Sequence, residues 1–202
     1  MSYNPHDRYF QKAKQEGYRS RAAYKLLELQ QRYGLLRSGD RVVDLGAAPG
    51  GWLQVAAQII APKGRVVGVD LQEIRPFREH NIALVHGDAN SDAVQEKIRD
   101  LLGGPADALI SDMAPKLSGI RDADMARAAE LQRLALQVAA RLLRPGGLLV
   151  IKSFMSDELR ELTAELKSFF ADVQRTKPEA TRQGSSEFYF LAKNFGADRA
   201  NA

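Results

Sequence analysis

The sequence predicts an α/β fold in which helices cover both faces of a mostly parallel β-sheet. From Arg41 onward, apolar strand-like runs alternate with helical patterns, and this alternation is typical of βαβ units. A glycine-rich stretch from Asp44 to Trp52 lies where the first of these strands gives way to a helix. Open parallel sheets bind nucleotide-like ligands at such turns. The fold class therefore indicates where a site should be sought.

The composition fits one domain. The chain has 202 residues, 45% of them hydrophobic, which is enough for one buried core and too little for two ordinary domains. No apolar run approaches the roughly 20 residues of a membrane helix, and the first ten residues are polar. We therefore expect a cytoplasmic protein without membrane contact. The absence of cysteine excludes disulfides and cysteine nucleophiles, and three scattered histidines predict no metal site.

Positive charge is concentrated near the N-terminus. The formal net charge is only +4, yet Glu16 is the single acid between Arg8 and Lys25. Basic and aromatic residues interleave there: Arg8, Tyr9, Phe10, Lys12, Lys14, Tyr18, Arg19, Arg21, Tyr24 and Lys25. Cations can neutralise phosphates and aromatic rings can stack on bases, so one interpretation is an RNA-binding surface. The other is a solvated, partly disordered terminus.

A helix is predicted to begin at Ser20 and to run to about Tyr33. Ser20 can cap its first turn, and Gly34 can end it. Helical spacing places Arg21, Lys25 and Glu28 on one face. Taken alone, that pattern indicates a surface ion pair.

The remaining elements follow in alternation. Strands are predicted at Arg41–Leu45, Arg65–Leu71, Ile82–His86, Asp107–Ser111 and Leu148–Phe154. Helices are predicted at Gly51–Ala61, Ser91–Leu102, Asp122–Leu143 and Asp157–Phe170. Two further strands, Asp172–Thr176 and Glu187–Lys193, are joined by a link that is short for a helical crossover. The last strand should therefore pair antiparallel, which completes a seven-stranded, mostly parallel sheet.

Acidic residues lie at the ends of four predicted strands. Asp44, Asp70, Asp88 and Asp112 all fall at carboxyl ends, which meet at one edge of a parallel sheet. Asp70 is suited to accept hydrogen bonds from ribose hydroxyls, and Asp88 could accept one from an adenine amino group. The pattern indicates an adenosine ligand.

Two adenosine cofactors remain possible at this point. A nicotinamide dinucleotide would use the glycine turn and Asp70 equally well. However, the spacing of Gly46, Ala48 and Gly51 only approximates the dinucleotide fingerprint, and the chain has no room for a separate substrate domain. We therefore favour a mononucleoside such as S-adenosylmethionine.

Several motifs together resemble one known family. They are Arg19-Ser20-Arg21-Ala22-Ala23-Tyr24-Lys25-Leu26, Asp44-Leu45-Gly46-Ala47-Ala48-Pro49-Gly50-Gly51-Trp52, Ser111-Asp112-Met113-Ala114-Pro115 and Lys152-Ser153-Phe154. In this order they closely resemble the FtsJ/RrmJ family of ribose 2′-O-methyltransferases. The resemblance extends from about Tyr18 to Lys193 and implies the Rossmann-like class I methyltransferase fold.

The resemblance also implies the site residues. The family's catalytic Lys-Asp-Lys-Glu set corresponds to Lys25, Asp112, Lys152 and Glu187. Its contacts with S-adenosylmethionine correspond to Gly50, Trp52, Asp70, Asp88 and, near the methyl group, Asp112. Together with the length and the charge pattern, it leads us to expect an N-terminal RNA-binding extension over residues 1–19, a single methyltransferase domain over 20–195 and a frayed tail over 196–202.

The implied chemistry explains these residue types. A ribose 2′-hydroxyl is a poor nucleophile and the sulfonium methyl is a good electrophile, so the enzyme must align them and remove one proton. On this interpretation Lys152 is the base, Lys25 and Asp112 tune and orient it, and Glu187 positions a lysine or the ribose. A second cation, the sulfonium and burial favour a neutral amine, whereas a carboxylate favours the ammonium.

The function implied is methylation of a ribose 2′-hydroxyl in RNA, a uridine of large-subunit (23S) ribosomal RNA. The expected partner is that RNA within the large subunit or an assembly particle, without an obligate protein partner. The alternatives are a transfer-RNA or cap methyltransferase and a noncatalytic RNA-binding or assembly protein, with an NAD-dependent oxidoreductase third. The sequence departs from the family pattern at Met155-Ser156-Asp157-Glu158, in place of a glycine-rich loop, and at Lys116, which adds a cation.

Overall fold

A computed structural model describes residues 8–116, 118–156, 158–182 and 184–196. The predicted frayed tail beyond 196 and the first seven residues of the predicted extension lie outside the described residues. The helices are α1 (Arg8–Glu16), α2 (Ala23–Tyr33), α3 (Gly51–Ile60), α4 (Asp92–Leu102), α5 (Arg121–Leu142) and α6 (Leu159–Phe169). The strands are β1 (Arg41–Leu45), β2 (Arg65–Asp70), β3 (Ile82–His86), β4 (Ala106–Ser111), β5 (Leu143–Phe154), β6 (Phe170–Thr176) and β7 (Glu187–Phe195).

The strands form one seven-stranded sheet in the order β3-β2-β1-β4-β5-β7-β6. Strands β1 to β5 pair in parallel, and β7 pairs antiparallel with both β5 and β6. This confirms the predicted sheet. The antiparallel strand is possible because the link between β6 and β7 only has to reverse the chain direction.

The register of the sheet aligns the ends of its central strands. Leu45 pairs with Val69 on one side and with Ser111 on the other, and Ser111 pairs with Ile151. These four residues form one row across four strands. The residue that follows each of them along the chain lies at the carboxyl edge of the sheet.

Helices pack on both faces, as predicted. Because strand side chains alternate between faces, neighbouring residues such as Val150 and Ile151 enter different cores. The core on one face contains Leu26 of α2 and Leu53 of α3. The core on the other face is built from α4, α5 and α6. Within the described residues, no helix is both long and apolar enough to span a membrane.

The start of α2 differs from the prediction. The helix begins at Ala23, and the Ser20 side chain does not cap it; the capping position is Ala22, which makes no side-chain bond. The preceding chain is instead held against α3. The Arg19 amide donates a hydrogen bond to Gln54, and Ser20 lies so close to Gly51 that a Cβ there would come within 2.2 Å of its hydroxyl.

The basic N-terminal segment is folded from Arg8 onward. Helix α1 buries Ala13, and the Tyr24 hydroxyl of α2 donates a hydrogen bond of 2.8 Å to Glu16. The rings of Tyr9 and Tyr18 contact the Tyr24 ring, with centroids 5.4 and 5.7 Å away. For these residues the interpretation as a disordered terminus is wrong. The segment forms a basic layer over α2.

Candidate active site

The structure brings the four predicted catalytic side chains together. Lys25 of α2 places its Nζ 2.5 Å from Glu187 Oε1 and 3.5 Å from Asp112 Oδ1. Lys152 of β5 places its Nζ 3.0 Å from the same Asp112 Oδ1 and 2.5 Å from the Asp112 carbonyl oxygen. Asp112 therefore joins the two lysines, and Glu187 holds the first of them. We call this group the KDKE cluster.

Sheet register explains why residues so distant in sequence meet. Asp112 and Lys152 each follow the aligned row of strand ends, so they lie side by side at the carboxyl edge. Glu187 opens β7, and its partner across the strand pair is Phe154. Helix α2 packs on the face of the sheet that carries the Tyr189 side chain, and it brings Lys25 to the cluster. Both lysines are buried, with 8% of Lys25 and 7% of Lys152 exposed.

Tyr189 is a fifth member that the sequence analysis missed. Its hydroxyl donates a hydrogen bond of 2.5 Å to Asp112 Oδ1 and lies 3.4 Å from Glu187 Oε1. Burial, followed by the charges of Asp112 and Glu187, raises the pKa of Tyr189 well above its ordinary value, so the hydroxyl remains a donor. A signal existed in the sequence: Tyr189 lies two residues after Glu187, and side chains two apart share a strand face.

Asp112 carries negative charge at the centre of the cluster. Burial alone would raise the pKa of this carboxyl group. The ammonium groups of Lys152 and Lys25, with the hydrogen bond from Tyr189, outweigh that effect and hold its pKa below the ordinary value. The carboxylate is thus anionic at neutral pH and can orient both lysines.

The glycine turn lies beside this cluster. Gly46 has a φ of 71°, and a Cβ at this position would approach Met113 Cγ to 2.2 Å. Asp70 organises the turn, since its Oδ2 accepts a hydrogen bond of 2.9 Å from the Ala48 amide. Its Oδ1 accepts one of 2.8 Å from the Gln72 amide. Each carboxylate oxygen retains a further lone pair, which a ribose hydroxyl could use.

The other predicted cofactor residues differ in their exposure to solvent. Asp88 is exposed at the same edge of the sheet, and its Oδ1 accepts a hydrogen bond of 2.9 Å from the Asn90 amide. Trp52 is buried, stacks on Tyr189 with centroids 5.7 Å apart, and donates its indole N–H to the Ala22 carbonyl at 2.8 Å. Gly50 is also buried. Trp52 therefore packs against Tyr189, which bonds to the KDKE cluster. Its contact with a cofactor stays a prediction.

Asp44 is a buried carboxyl group at the end of β1. Among the described residues, its Oδ2 has no hydrogen-bond partner. Burial, followed by the charges of Asp112 and Asp70, raises its pKa well above the ordinary value. An unpartnered buried oxygen is costly unless a ligand satisfies it. A positively charged ligand group beside the glycine turn would do so.

Arg19 does not fit its predicted role as a phosphate contact. Its guanidinium stacks on the Phe77 ring at 3.4 Å from the centroid. It donates hydrogen bonds to the carbonyl oxygens of Arg75 at 2.5 Å, Pro76 at 2.6 Å and Pro49 at 3.3 Å. Burial lowers the pKa of Arg19 from its ordinary value. Arg19 links the loop after β2 to the glycine turn through these hydrogen bonds. We therefore no longer expect Arg19 to bind RNA.

The part of the chain that the structure describes contains no cluster of histidine, aspartate or glutamate suited to a metal ion. The KDKE cluster instead offers two ammonium groups, two carboxylates and a phenol. These groups can exchange a proton with a hydroxyl and hold a ribose by hydrogen bonds.

Comparison with known proteins identifies relatives over nearly the whole chain. The model of the FtsJ-like methyltransferase family matches residues 18–195. The ribosomal RNA large subunit methyltransferase E of Methanobrevibacter smithii is 44% identical over 190 residues, which cover 94% of this chain and 90% of that protein. The protein with the same name from Acidithiobacillus ferrooxidans is 49% identical over 189 residues, 94% of this chain and 85% of that protein.

Solved structures show the same fold. A ribosomal RNA methyltransferase from Plasmodium falciparum is 29% identical with a TM-score of 0.77, covering 88% of this chain and 98% of that chain. Fibrillarin from Aeropyrum pernix, solved with S-adenosyl-L-methionine bound, is 22% identical with a TM-score of 0.59, covering 84% of this chain and 75% of that chain. At that identity the second likeness concerns the fold alone.

Proposed function

The chain belongs to the FtsJ-like methyltransferase family, and from that premise we propose that it transfers the methyl group of S-adenosylmethionine to a ribose 2′-hydroxyl of large-subunit ribosomal RNA. The observation that carries the proposal is the KDKE cluster, in which a buried lysine is held beside a carboxylate at the edge of the glycine turn. The relatives, which are ribosomal RNA large subunit methyltransferases E, favour that RNA over a transfer RNA or a cap.

The residues at the sheet edge fit the cofactor. Asp70 has lone pairs available for ribose hydroxyls, and the exposed Asp88 lies on the neighbouring strand end. The unpartnered oxygen of Asp44 suits the amino group of the methionine part. When bound, S-adenosylmethionine supplies a methyl group activated by its sulfonium.

Lys152 is the residue best placed to take the proton from the 2′-hydroxyl. An ammonium has three hydrogen-bonding positions, and two of those on Lys152 are directed to Asp112. When Nζ has lost one proton, it can keep both bonds and present a lone pair at the third position. Lys25 shares the same carboxylate, which divides the attraction of Asp112 between two cations. Glu187 and Tyr189 keep Lys25 and Asp112 in place.

The finer parts of the assignment stay predictions. We propose that the RNA is recognised within the large ribosomal subunit or an assembly particle, because a folded particle can present one ribose in a fixed orientation. A uridine as the target, the absence of an obligate protein partner and a cytoplasmic location are expectations from the sequence. The noncatalytic alternative would leave the close pairing of two buried lysines with Asp112 without a purpose.

A transfer assay tests the proposal. Purified protein is mixed with S-adenosylmethionine carrying a labelled methyl group and with large ribosomal subunits that lack the modification. We expect label in the RNA, and nucleosides identified by mass spectrometry should carry it on the ribose 2′-oxygen. Label on a base would contradict the ribose assignment, and absence of transfer to any RNA would favour the noncatalytic alternative.

Asp70→Ala is expected to weaken S-adenosylmethionine binding by roughly 10- to 100-fold. The change removes at least one hydrogen bond to a charged acceptor, which contributes about 1.5–3 kcal/mol. It also releases the Ala48 amide of the glycine turn. Isothermal calorimetry measures the effect, with Asp70→Asn as a control that keeps one acceptor oxygen and should lose less. Equal affinity of the parent and the alanine variant for the cofactor would contradict the assignment. Binding of NAD by the parent in place of S-adenosylmethionine would also contradict it.

Replacing Lys12 and Lys14 of α1 together by Gln is expected to weaken RNA binding. Both side chains are exposed, and the pair between Lys12 and Glu16 is long at 3.7 Å, so the cations are available to phosphates. Each lost contact should reduce the logarithmic salt slope by roughly 0.7–0.9 in magnitude. Salt titrations with cofactor affinity as the control measure this. An unchanged slope would remove α1 from the RNA-binding surface.

A further inference from the structure

A second basic surface lies on the face of the sheet opposite α2. It is an open groove of about 580 Å³ between α6 and the edge strand β6, lined by Arg160, Thr163 and Lys167 of α6, by Arg175 of β6 and by Ser156 at one end. We call it the α6 groove. Helix α1 lies over α2, so the groove and the N-terminal basic segment are on different sides of the sheet.

The geometry of the groove orders its cations. Arg160, Thr163 and Lys167 are three and four residues apart, so they form a stripe along one side of α6 with about one turn, roughly 5.4 Å, between neighbours. Arg175 faces this stripe and donates a hydrogen bond of 2.8 Å to the Thr163 hydroxyl. Its guanidinium lies 5.3 Å from the centroid of the Phe190 ring. This position fixes the guanidinium and leaves its other donors available.

The cations of the groove are Arg160, Lys167 and Arg175. Among the residues that the structure describes, none of its three cations forms an ion pair with a carboxylate, although α6 carries acids. Glu161 and Glu165 instead contact Arg133 of α5, at 3.4 and 3.5 Å. Helix α6 thus directs its carboxylates toward α5 and its cations into the groove. An uncompensated row of cations attracts a polyanion.

The groove is close to the reacting edge of the sheet. Ser156 lies two residues beyond Phe154, the residue of β5 that pairs with Glu187. Arg175 pairs with Phe190, which pairs with Ile151 beside Lys152. Arg175 is therefore only two strand spacings, about 10 Å, from the strand that carries the proposed base. Lys152 belongs to the other face of the sheet, so an RNA strand whose ribose reaches it has to cross the carboxyl edge to enter the groove.

We propose that the α6 groove binds the sugar–phosphate backbone of the RNA on the side of the target nucleotide away from α1. This inference rests on the proposed function. An open groove lined by three cations is complementary in charge to the phosphates of a nucleic-acid strand, which Lys and Arg neutralise. The two basic surfaces then hold the RNA on either side of the KDKE cluster.

The test compares two variants that lose the same charge. Arg160→Gln with Lys167→Gln changes the groove, and Arg37→Gln with Lys63→Gln removes two exposed cations just before β1 and β2, at the opposite edge. All four residues are exposed, so both variants should fold. We expect the groove variant to lower the magnitude of the logarithmic salt slope for RNA by roughly 1.4–1.8. Its KM for RNA should rise about tenfold or more, with kcat and cofactor affinity unchanged, and the control variant should behave like the parent.

RNA length provides a second measurement. The RNA is trimmed from one side of the target nucleotide or from the other. When the trimmed side is the one that reaches the groove, parent and groove variant should have the same KM and salt slope. A groove variant equal to the parent in slope and KM, on RNA that the parent methylates, overturns the inference and leaves the proposed function standing. Weaker binding to ribosomal subunits but not to free RNA would assign the groove to a ribosomal protein and also overturn it.

Discussion

Lys152→Ala is expected to lower kcat for methyl transfer by roughly 10²- to 10⁴-fold, the usual contribution of a positioned general base. The affinity for S-adenosylmethionine should change little, since the Lys152 side chain bonds to Asp112 and takes no part in the hydrogen bond between Asp70 and the glycine turn. Single-turnover kinetics on ribosomal subunits, together with calorimetry of cofactor binding, separate the two effects.

Lys152→Arg distinguishes proton removal from charge. A guanidinium keeps the positive charge and can still bond to Asp112, but it does not deprotonate in proteins. We therefore expect the arginine variant to be about as inactive as the alanine variant. An arginine variant that retains activity would mean that this position supplies positive charge, and Lys152 would lose its role as base.

Asp112→Ala is expected to abolish activity and also to destabilise the protein. The change takes the carboxylate from two buried ammonium groups and from the Tyr189 hydroxyl. Leaving buried charges without their partner costs about 3–5 kcal/mol. Urea unfolding of parent and variant measures the stability, and the methyl-transfer assay measures kcat. Asp112→Asn, which keeps the shape and one acceptor, should lose activity with a smaller loss of stability.

The pH dependence of that stability follows from the lowered pKa of Asp112. A carboxyl group whose pKa is lower in the folded protein stabilises it fully above the pKa of the unfolded chain, about 4. This contribution is lost as the pH falls through the folded value. The difference in unfolding free energy between parent and Asp112→Ala should therefore be largest near neutral pH and shrink in acid. A difference that grows in acid would contradict the ionic role of Asp112.

Part of the site was predictable because its acids lie at strand ends, whereas Lys152 was assigned from the resemblance of its motif to a family. Asp70 ends β2 and Asp112 follows β4, and parallel strands in register place such residues at one edge. Local pattern therefore determined their position without knowledge of the helices. The antiparallel β7 was predictable for the same kind of reason, since the short link before it limits the connection.

The parts that could not be predicted depend on tertiary contacts. Tyr189 stands in an apolar run typical of a core strand. Its spacing from Glu187 places both on one strand face, but its contact with Asp112 depends on the pairing with Lys152 across β5 and β7. Arg19 belongs to a basic segment, but its guanidinium is directed to carbonyl groups 30 or more residues away. The α6 groove requires the edge strand to bring Arg175 to α6, which no local pattern encodes.

The most direct test of the central claim is to map 2′-O-methylation in large-subunit ribosomal RNA from cells that lack this protein. The cells are complemented with the parent chain or with Lys152→Ala, produced at equal levels. We expect one ribose methylation that is absent from the deletion, restored by the parent and not restored by Lys152→Ala. Restoration by the alanine variant, or identical ribose methylation in all strains, would contradict the claim that Lys152 drives ribose methylation of this RNA.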